Sequence, residues 1–224
     1  MKKSAILLSG LVLCISNFAH ADNWYAGLTL GHSFADNTGK IGFNDGTDYT
    51  SEKKSFGGKQ FFTGSLFAGR SIPFKEYGNV LVDVAYQYNN EKASASSITS
   101  HADAKATIER PLTFVLNVGF EKPVAPSVDV FFKVGAAISQ FDTKLEDVGV
   151  GQTYSGRDSK NVFGFVPTLG IQKDISGINF GLSYSYYMYQ DFTARKVNLA
   201  GAREYTSKVS PRYHVLEARI SKKF

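Results

Sequence analysis

The chain has 224 residues, of which 43% are hydrophobic and 20% charged, and its formal net charge is +5 at pH 7. So small a basic excess does not favour a nucleic-acid partner. The single cysteine, Cys14, excludes a disulfide within the chain.

The first 21 residues contain the three parts of an export signal: a basic pair at 2–3, an apolar run at 5–15 and a small-x-small sequence at 19–21. The apolar run has roughly ten residues, fewer than the ~20 of a membrane-spanning helix. We therefore predict a cleaved signal peptide at 1–21 and one mature domain at 22–224. Loss of two lysines with the signal lowers the net charge from +5 to +3.

Eight segments of the mature chain alternate apolar and polar residues, which is the period of a β-strand. Most of them run to about nine to eleven residues, the length of a tilted membrane strand and longer than the ~5–6 residues typical of soluble sheets. In chain order they cover residues 24–31, 61–71, 80–89, 112–120, 129–139, 163–172, 178–188 and 212–224.

In most segments one face carries large apolar side chains and the other carries glycine, small or polar residues. In the fourth segment, for example, Leu116 and Val118 oppose Asn117. The second segment is ambiguous because phenylalanines occur on both of its faces, at 61, 62 and 67. In the sixth segment Pro167 cannot donate a ladder hydrogen bond, which predicts a bulge or another local irregularity.

The seven connections between the segments are alternately long and short. The long, hydrophilic ones are 36–58, 91–111, 142–160 and 191–211, and the tight ones are 73–78, 121–127 and 174–177. In an up-and-down sheet, alternate connections lie at the same end. The layout therefore predicts an all-β fold: an eight-stranded antiparallel up-and-down transmembrane β-barrel with four long extracellular loops and three short periplasmic turns.

A soluble barrel or sandwich with its apolar face turned inward would show the same alternation. Its core would have to hold nearly all the large aromatic residues, and its solvated face would be unusually rich in glycine, serine and threonine. Charged residues such as Asp83 and Lys133 also occur singly within segments instead of forming a charged stripe. We therefore favour the membrane barrel, in which strand pairing satisfies every backbone polar group.

The last segment ends on an aromatic residue and has apolar residues at alternate positions before it: Leu216, Ala218, Ile220 and Phe224. In this feature, in strand count and in loop parity, the mature chain resembles the outer-membrane β-barrel superfamily that includes the transmembrane domain of outer-membrane protein A and the opacity-type surface proteins. The resemblance implies that these four residues form the signal read by the barrel assembly machinery. Lys222 departs from the pattern, although its ammonium group can reach the interface.

Eight strands enclose an interior that is only wide enough for side chains to fill it. Four charged residues are predicted to face this interior: Asp83, Lys133, Glu217 and Arg219. Charges in a narrow interior of low dielectric constant need opposite partners, so we expect an ion-pair and hydrogen-bond network that plugs the lumen. A gated path for ions along the same charges is the alternative.

The four long connections are expected to carry any binding specificity. Their basic residues can pair with the phosphates of lipopolysaccharide or can simply be solvated, and they lie at 53, 54, 59, 195, 196, 203, 208 and 212. Residues 95–105 are expected outside the sheet, so their deletion should leave the barrel folded. An interfacial aromatic girdle is expected from the tyrosines at 86, 88, 184, 186, 187 and 189.

An enzyme is the alternative from another class, because some eight-stranded barrels modify lipid A with a serine, a histidine and an acidic group at the outer rim. The mature chain offers His32, His101 and His214, and no triad geometry follows from their positions. The sequence has no phosphate-binding glycine loop, metal-ligand cluster or nucleotide fingerprint. We therefore expect no catalytic residue, cofactor or metal site.

These observations favour an integral outer-membrane β-barrel protein of a Gram-negative bacterium with a structural or surface-interaction role, adhesin-like or antigen-like, through its extracellular loops. The expected partners are outer-membrane lipid and lipopolysaccharide, the barrel assembly machinery, and a host or cell-surface ligand at the loops. A narrow porin-like channel for small ions or solutes is the first alternative, and a lipid A-modifying enzyme is the second.

Overall fold

The computed structural model describes residues 23–44, 49–56, 60–99, 102–147, 154–197 and 204–224. The predicted signal peptide at 1–21 lies outside these residues. Among them, no helix is long and apolar enough to cross a membrane. The described residues form thirteen strands: β1 (Trp24–Ala35), β2 (Asn37–Asn44), β3 (Tyr49–Phe56), β4 (Gln60–Phe74), β5 (Gly78–Asn89), β6 (Lys92–Thr99), β7 (Ala102–Ala125), β8 (Val128–Asp147), β9 (Tyr154–Ile175), β10 (Ile178–Tyr189), β11 (Phe192–Val197), β12 (Glu204–Ser210) and β13 (Arg212–Lys223).

Eight of these strands close into an antiparallel barrel. β1 lies between β4 and β13, and the order continues from β4 through β5, β7, β8, β9 and β10 to β13. The pairing of β5 with β7, from Asn79 opposite Glu121 to Tyr88 opposite Leu112, closes the ring. The predicted eight-stranded antiparallel barrel is therefore confirmed.

The outward face of the barrel is a continuous apolar belt. In β1, Leu28 and Leu30 are exposed, whereas Thr29 between them is buried. The ambiguous second segment follows the same rule, because Phe62 points outward and Phe67 inward. Other exposed apolar residues of the belt are Val82, Val84, Phe114, Leu116, Val118, Phe132, Val134, Phe163, Phe165, Leu169, Ile171, Phe180, Leu182, Leu216 and Ile220. This polarity suits a barrel in lipid and is the reverse of the soluble alternative.

Three tight turns join barrel strands at one end, at residues 75–77, 126–127 and 176–177. In the last of them, Ser176 has φ 56° and Gly177 has φ 81°. Two successive residues with positive φ are characteristic of a type I′ hairpin turn, whose twist matches that of its strands. The turn thus sets the register of β9 and β10, which begins with Ile175 opposite Ile178.

The four long connections consist mostly of strands in their described parts. β11, β12, β2 and β3 form a separate four-stranded sheet, called here the small sheet. β6, together with residues 102–109 of β7, 142–147 of β8 and 154–159 of β9, forms the opposite side, called here the facing wall. The small sheet and the facing wall extend the barrel beyond its apolar belt, and we call them together the outer extension.

The expectation that residues 95–105 lie outside the sheet is therefore wrong. The described residues of this segment belong to β6 and β7, and Ala95 pairs with Ala106 across them. Ala93, Ala95 and Ala106 are buried. Alanine contributes so little to a hydrophobic pattern that this strand pair has the composition of a polar loop.

The outer extension has an apolar interior of its own. Phe56 of the small sheet and Ile108 and Phe141 of the facing wall are fully buried in one cluster. The ring of Phe141 lies 5.2 Å from that of Phe192 and 5.0 Å from that of Tyr189, measured between centroids. The small sheet and the facing wall therefore pack face to face, and their core covers this end of the lumen.

A bulge in β7 turns a charged side chain into the lumen. The register of β7 against β8 shifts by one residue between Glu109 and Leu112, so that Arg110 and Pro111 together lie opposite Phe141. A bulge accommodates Pro111 because the proline has no N–H to donate to a regular ladder. Arg110 thereby points inward, although it belongs to a segment that the sequence pattern assigns to an outer loop.

The irregularity expected at Pro167 is confined to one side of β9. Toward β8 the register is continuous, with Val134 opposite Pro167. Toward β10 the pairing is interrupted between Thr168 and Phe165 and then resumes without a shift. Pro167 therefore removes ladder contacts but does not produce a bulge.

Substituting Phe141 should reveal the interior of the outer extension. Phe141→Ala leaves a cavity in a fully buried cluster and is expected to lower the free energy of unfolding by about 3–5 kcal/mol. Phe163→Ala is the matched control, because Phe163 is 59% exposed on the belt. Urea unfolding of both variants in the same lipid vesicles checks the difference. Equal losses would mean that the outer extension has no packed core.

Candidate functional site

The middle of the lumen contains a buried ion pair between Lys133 of β8 and Asp83 of β5. Tyr25 donates its hydroxyl to Asp83 Oδ2 at 2.6 Å, and Asn117 Nδ2 donates to Asp83 Oδ1 at 2.8 Å. Both oxygens of the carboxylate are therefore occupied by donors from other strands. The group joins β1, β5, β7 and β8 across the interior.

The two other charged residues predicted to face the lumen do so, but neither joins this ion pair directly. Glu217 accepts a hydrogen bond of 2.6 Å from Thr29. The guanidinium carbon of Arg219 lies 3.9 Å from the ring centre of Phe67 and 5.0 Å from that of Phe131. The structure thus pairs Asp83 with Lys133 and places Arg219 in a cation–π arrangement.

Two glycines make room for the aromatic rings that fill this level. A Cβ atom at Gly170 would lie 2.2 Å from the Phe131 ring, and one at Gly27 would lie 2.5 Å from the Phe67 ring. Both distances are far below van der Waals contact. The small residues of the inward face therefore allow large rings from neighbouring strands to cross the lumen.

A second polar group closes the end of the lumen near the tight turns. Its centre is Glu121, which pairs with Lys223 Nζ at 2.6 Å. Gln172 Nε2 donates to the other carboxylate oxygen at 2.6 Å, and Asn79 Nδ2 donates at 3.2 Å. Sequence reasoning missed this group because it placed Glu121 in a turn.

A third polar group surrounds Arg110, which is fully buried between the barrel and the outer extension. Arg110 Nε donates to Glu91 at 3.1 Å, and its other nitrogens donate to Tyr189 Oη at 3.3 Å and to Asn89 Oδ1 at 3.2 Å. The guanidinium carbon lies 3.9 Å above the ring of Tyr213. Sequence reasoning assigned Glu91 and Arg110 to a loop and so did not consider them.

Little space remains between these groups. A cavity of about 50 Å³ is lined by Asp83, Lys133, Glu217 and Arg219, together with Gln87. A volume of this size admits a few water molecules and no nutrient-sized solute. The four residues predicted from the sequence therefore line one small space in the lumen.

The tyrosines predicted to form an aromatic girdle are divided between the two faces of the barrel. Tyr86, Tyr88 and Tyr184 are exposed on the outward face. Tyr187 and Tyr189, in contrast, are 5% and 2% exposed and face the lumen. Their odd positions in β10 give them the inward parity, whereas the even positions face lipid.

The predicted basic residues of the outer rim lie mostly in the small sheet. Lys53 belongs to β3, Arg195 to β11 and Lys208 to β12, and all three are exposed. Arg212 donates to the carbonyls of Tyr189 and Pro211. Residues 59 and 203 lie outside the described part of the chain.

The facing wall carries an acidic group among its cations. Asp142 accepts hydrogen bonds from Ser159, at 2.5 Å, and from Arg157. Burial acts to raise the pKa of Asp142, but these hydrogen bonds and the charge of Arg157 hold that pKa below its usual value. Asp142 therefore stays ionised, and its charge offsets that of Arg157.

Two of the three histidines that follow the predicted signal peptide can be placed. His32 is on the outward face of β1, and His214, on the outward face of β13, contacts the hydroxyl of Tyr184 at 2.6 Å through Nδ1. His101 lies outside the described residues. In the part of the chain that the structure describes, no group of three or more His, Cys, Asp or Glu side chains is placed to hold a metal ion.

No protein-family model matches the chain, and the search of curated proteins found no match to its sequence. Among solved structures, the outer membrane protease OmpT from Escherichia coli has a TM-score of 0.56 at 7% identity, with 92% of this chain and 98% of that chain covered. Neisserial surface protein A has a TM-score of 0.47 at 16% identity, covering 90% and 97%. The outer membrane protein OprG from Pseudomonas aeruginosa has a TM-score of 0.48 at 12% identity, also covering 90% and 97%.

The chain has the fold of an outer-membrane β-barrel. The closed ring of eight strands, the outward apolar belt and the overall likeness to OmpT agree on this point. At such low identities the likeness extends to the fold alone. This barrel has a filled lumen and a packed outer extension above it.

The ion pair in the middle of the lumen can be tested with a double-mutant cycle. Lys133→Met leaves the buried carboxylate of Asp83 without its cation and should cost about 3–5 kcal/mol of unfolding free energy. Adding Asp83→Asn removes that uncompensated charge, so the double variant should be more stable than Lys133→Met alone. Denaturant unfolding in vesicles measures Lys133→Met, Asp83→Asn and the double variant. Additive losses would argue against coupling between the two residues.

Arg110 and Arg157 provide a comparison between a buried and an exposed guanidinium. Arg110→Met leaves Glu91 buried without a cation and is expected to cost about 3–5 kcal/mol. Arg157→Met should cost less than about 1 kcal/mol of unfolding free energy, because the Arg157 side chain is 64% exposed. The same unfolding measurement ranks the two. A similar cost for both would show that the group around Arg110 contributes little.

Proposed function

We propose that the protein is a closed barrel of the bacterial outer membrane and that it acts through the surface of its outer extension instead of through its lumen. The lumen filling supports this proposal. Polar groups around Glu121, around Asp83 and around Arg110 cross the interior one after another, and an apolar core covers the end beyond them. A solute would have to displace all four.

The proposal includes a route to the membrane. Residues 1–21 act as a cleaved signal peptide, and Leu216, Ala218, Ile220 and Phe224 form the sequence that the barrel assembly machinery reads. In the folded barrel β13 pairs with β1, and the Phe224 amide donates to the Trp24 carbonyl at 2.8 Å. The outward position of Leu216 and Ile220 is consistent with a signal that is later covered by lipid.

The outer extension supports a structural or surface-interaction role, adhesin-like or antigen-like. Its strands are packed around a core, so they hold their outward side chains in fixed rows. Such a surface binds without losing much conformational entropy, in contrast to a flexible loop. Lipopolysaccharide, other outer-membrane lipid and a ligand on another cell are the partner classes of this proposal, and an enzymatic role is not part of it.

Planar-bilayer recording of the purified, refolded protein tests the closed lumen. The wild-type barrel should give no steady current, because three polar groups and an apolar core block its interior. Lys133→Met should also be silent, because it removes one cation and leaves the groups around Glu121 and Arg110 intact. Steady ion-selective steps from the wild-type protein would overturn the proposal and favour the narrow channel.

A further inference from the structure

Three lysines lie side by side on the outward face of the small sheet. Lys40 of β2 is directly opposite Lys208 of β12 on one side and directly opposite Lys53 of β3 on the other. All three are exposed. Directly opposed residues of antiparallel strands have Cβ atoms about 4.5–5.5 Å apart, so the three ammonium groups share a stretch of roughly 10 Å. We call this set the lysine row.

The lysine row is poorly neutralised. Asp191 lies 3.7 Å from Lys208. Within the residues that the structure describes, no ion pair forms at Lys40 or Lys53. Arg195, exposed on the neighbouring strand β11, adds a fourth positive charge close by. Like charges directly opposite one another destabilise a sheet, so the fold gains nothing from this arrangement.

On the facing wall, acidic residues of the chain neutralise outward cations. Three of its outward cations have acidic partners: Lys92 pairs with Glu109 at 3.1 Å, Lys144 with Glu146 at 2.5 Å, and Arg157 with Asp142. The two sides of the outer extension therefore carry similar numbers of outward cations, but the cations of the facing wall have acidic partners and most of those in the lysine row do not. The excess positive charge is specific to the small sheet.

The lysine row lies directly above the apolar belt of the barrel. The register of β1 against β13 continues without a shift into β2 against β12, from Ala35 opposite Tyr213 to Thr38 opposite Ser210. Lys40 therefore has the same outward parity as Phe34 of the belt. Six residues at about 3.3 Å each, on a strand tilted by about 40°, place Lys40 roughly 15 Å above Phe34.

The height and the sideways orientation of the lysine row determine which kind of ligand can reach it. A side chain that faces sideways just above the hydrocarbon meets the headgroups of the surrounding lipid, whereas a ligand on another cell would approach from the top of the outer extension. Phosphate groups satisfy clustered ammonium and guanidinium groups through charge-assisted hydrogen bonds. Hydroxyl side chains beside the lysine row, at 38, 55, 206 and 210, suit a sugar.

We propose that Lys40, Lys53 and Lys208, with Arg195 beside them, form a binding site for the phosphate groups of the saccharide headgroup of the glycolipid that surrounds the barrel, which in an outer membrane is lipopolysaccharide. The inference rests on the proposed function, since it names the partner of the outer extension. It also assigns the partner to one side of the outer extension. The barrel thereby acquires a preferred lateral neighbour.

The test compares two triple variants of the full-length barrel, purified in detergent. Lys40→Gln/Lys53→Gln/Lys208→Gln removes the lysine row, and Lys92→Gln/Lys105→Gln/Lys144→Gln removes the same charge from the facing wall. The probe is purified lipopolysaccharide, before and after enzymatic removal of its phosphates. Removing the lysine row should weaken binding at least tenfold and flatten its dependence on ionic strength, because screening acts on exposed charges. The control variant should stay within twofold of wild type.

Thermal unfolding without lipopolysaccharide separates binding from folding. The lysine-row variant should unfold at the wild-type temperature or higher, because like-charge repulsion has been removed. The inference is overturned by unchanged affinity, by an equal loss in the control variant, or by equal binding of the dephosphorylated probe. Equally tight binding of a soluble sulfated dextran would contradict the claim that the ligand is the headgroup of a membrane glycolipid. Silence or current in the bilayer recording bears on the lumen alone, so the two proposals fail independently.

Discussion

Closure of the sheet between β5 and β7 determines what the inward side chains can contact. A ring of eight strands has no room for a column of water, so every inward charge has to be satisfied by another inward side chain. Glu121 meets this condition with Lys223, Lys133 with Asp83, and Arg110 with Glu91 and its tyrosine neighbours. Three separate polar groups at successive levels thus fill the interior.

The face of the strands that carries apolar residues changes from outward to inward where the chain leaves the apolar belt. In β8, Phe132 and Val134 point outward and Lys133 inward, but farther along the strand Lys144 points outward and Leu145 inward. The reversal follows from the surroundings of the strands. In the apolar belt they have lipid outside and a polar lumen inside, and in the outer extension they have water outside and an apolar core inside. One continuous strand thus serves as a membrane strand and as a soluble sheet strand.

The period of two residues was sufficient to predict the barrel, because it assigned a face to each side chain wherever the strand was regular and the surroundings uniform. It failed at the polarity reversal, which ends the apolar-outward pattern near residues 36 and 142 and resembles the end of a strand. It also failed at Arg110, whose inward position depends on a bulge that no spacing reveals. Asp83 and Lys133 were found because they lie in regular strands far from either disturbance.

The two sides of the outer extension show which surface features the fold itself requires. Both sides need apolar inward faces, and both have them. The outward faces are under no such constraint, since charged residues of either sign remain solvated there. Pairing cations with carboxylates, as on the facing wall, is the arrangement that stability alone favours. The lysine row has one carboxylate nearby, that of Asp191, and therefore gains little of this stabilisation from the chain itself; the proposed phosphate contacts would supply the countercharge that the small sheet lacks.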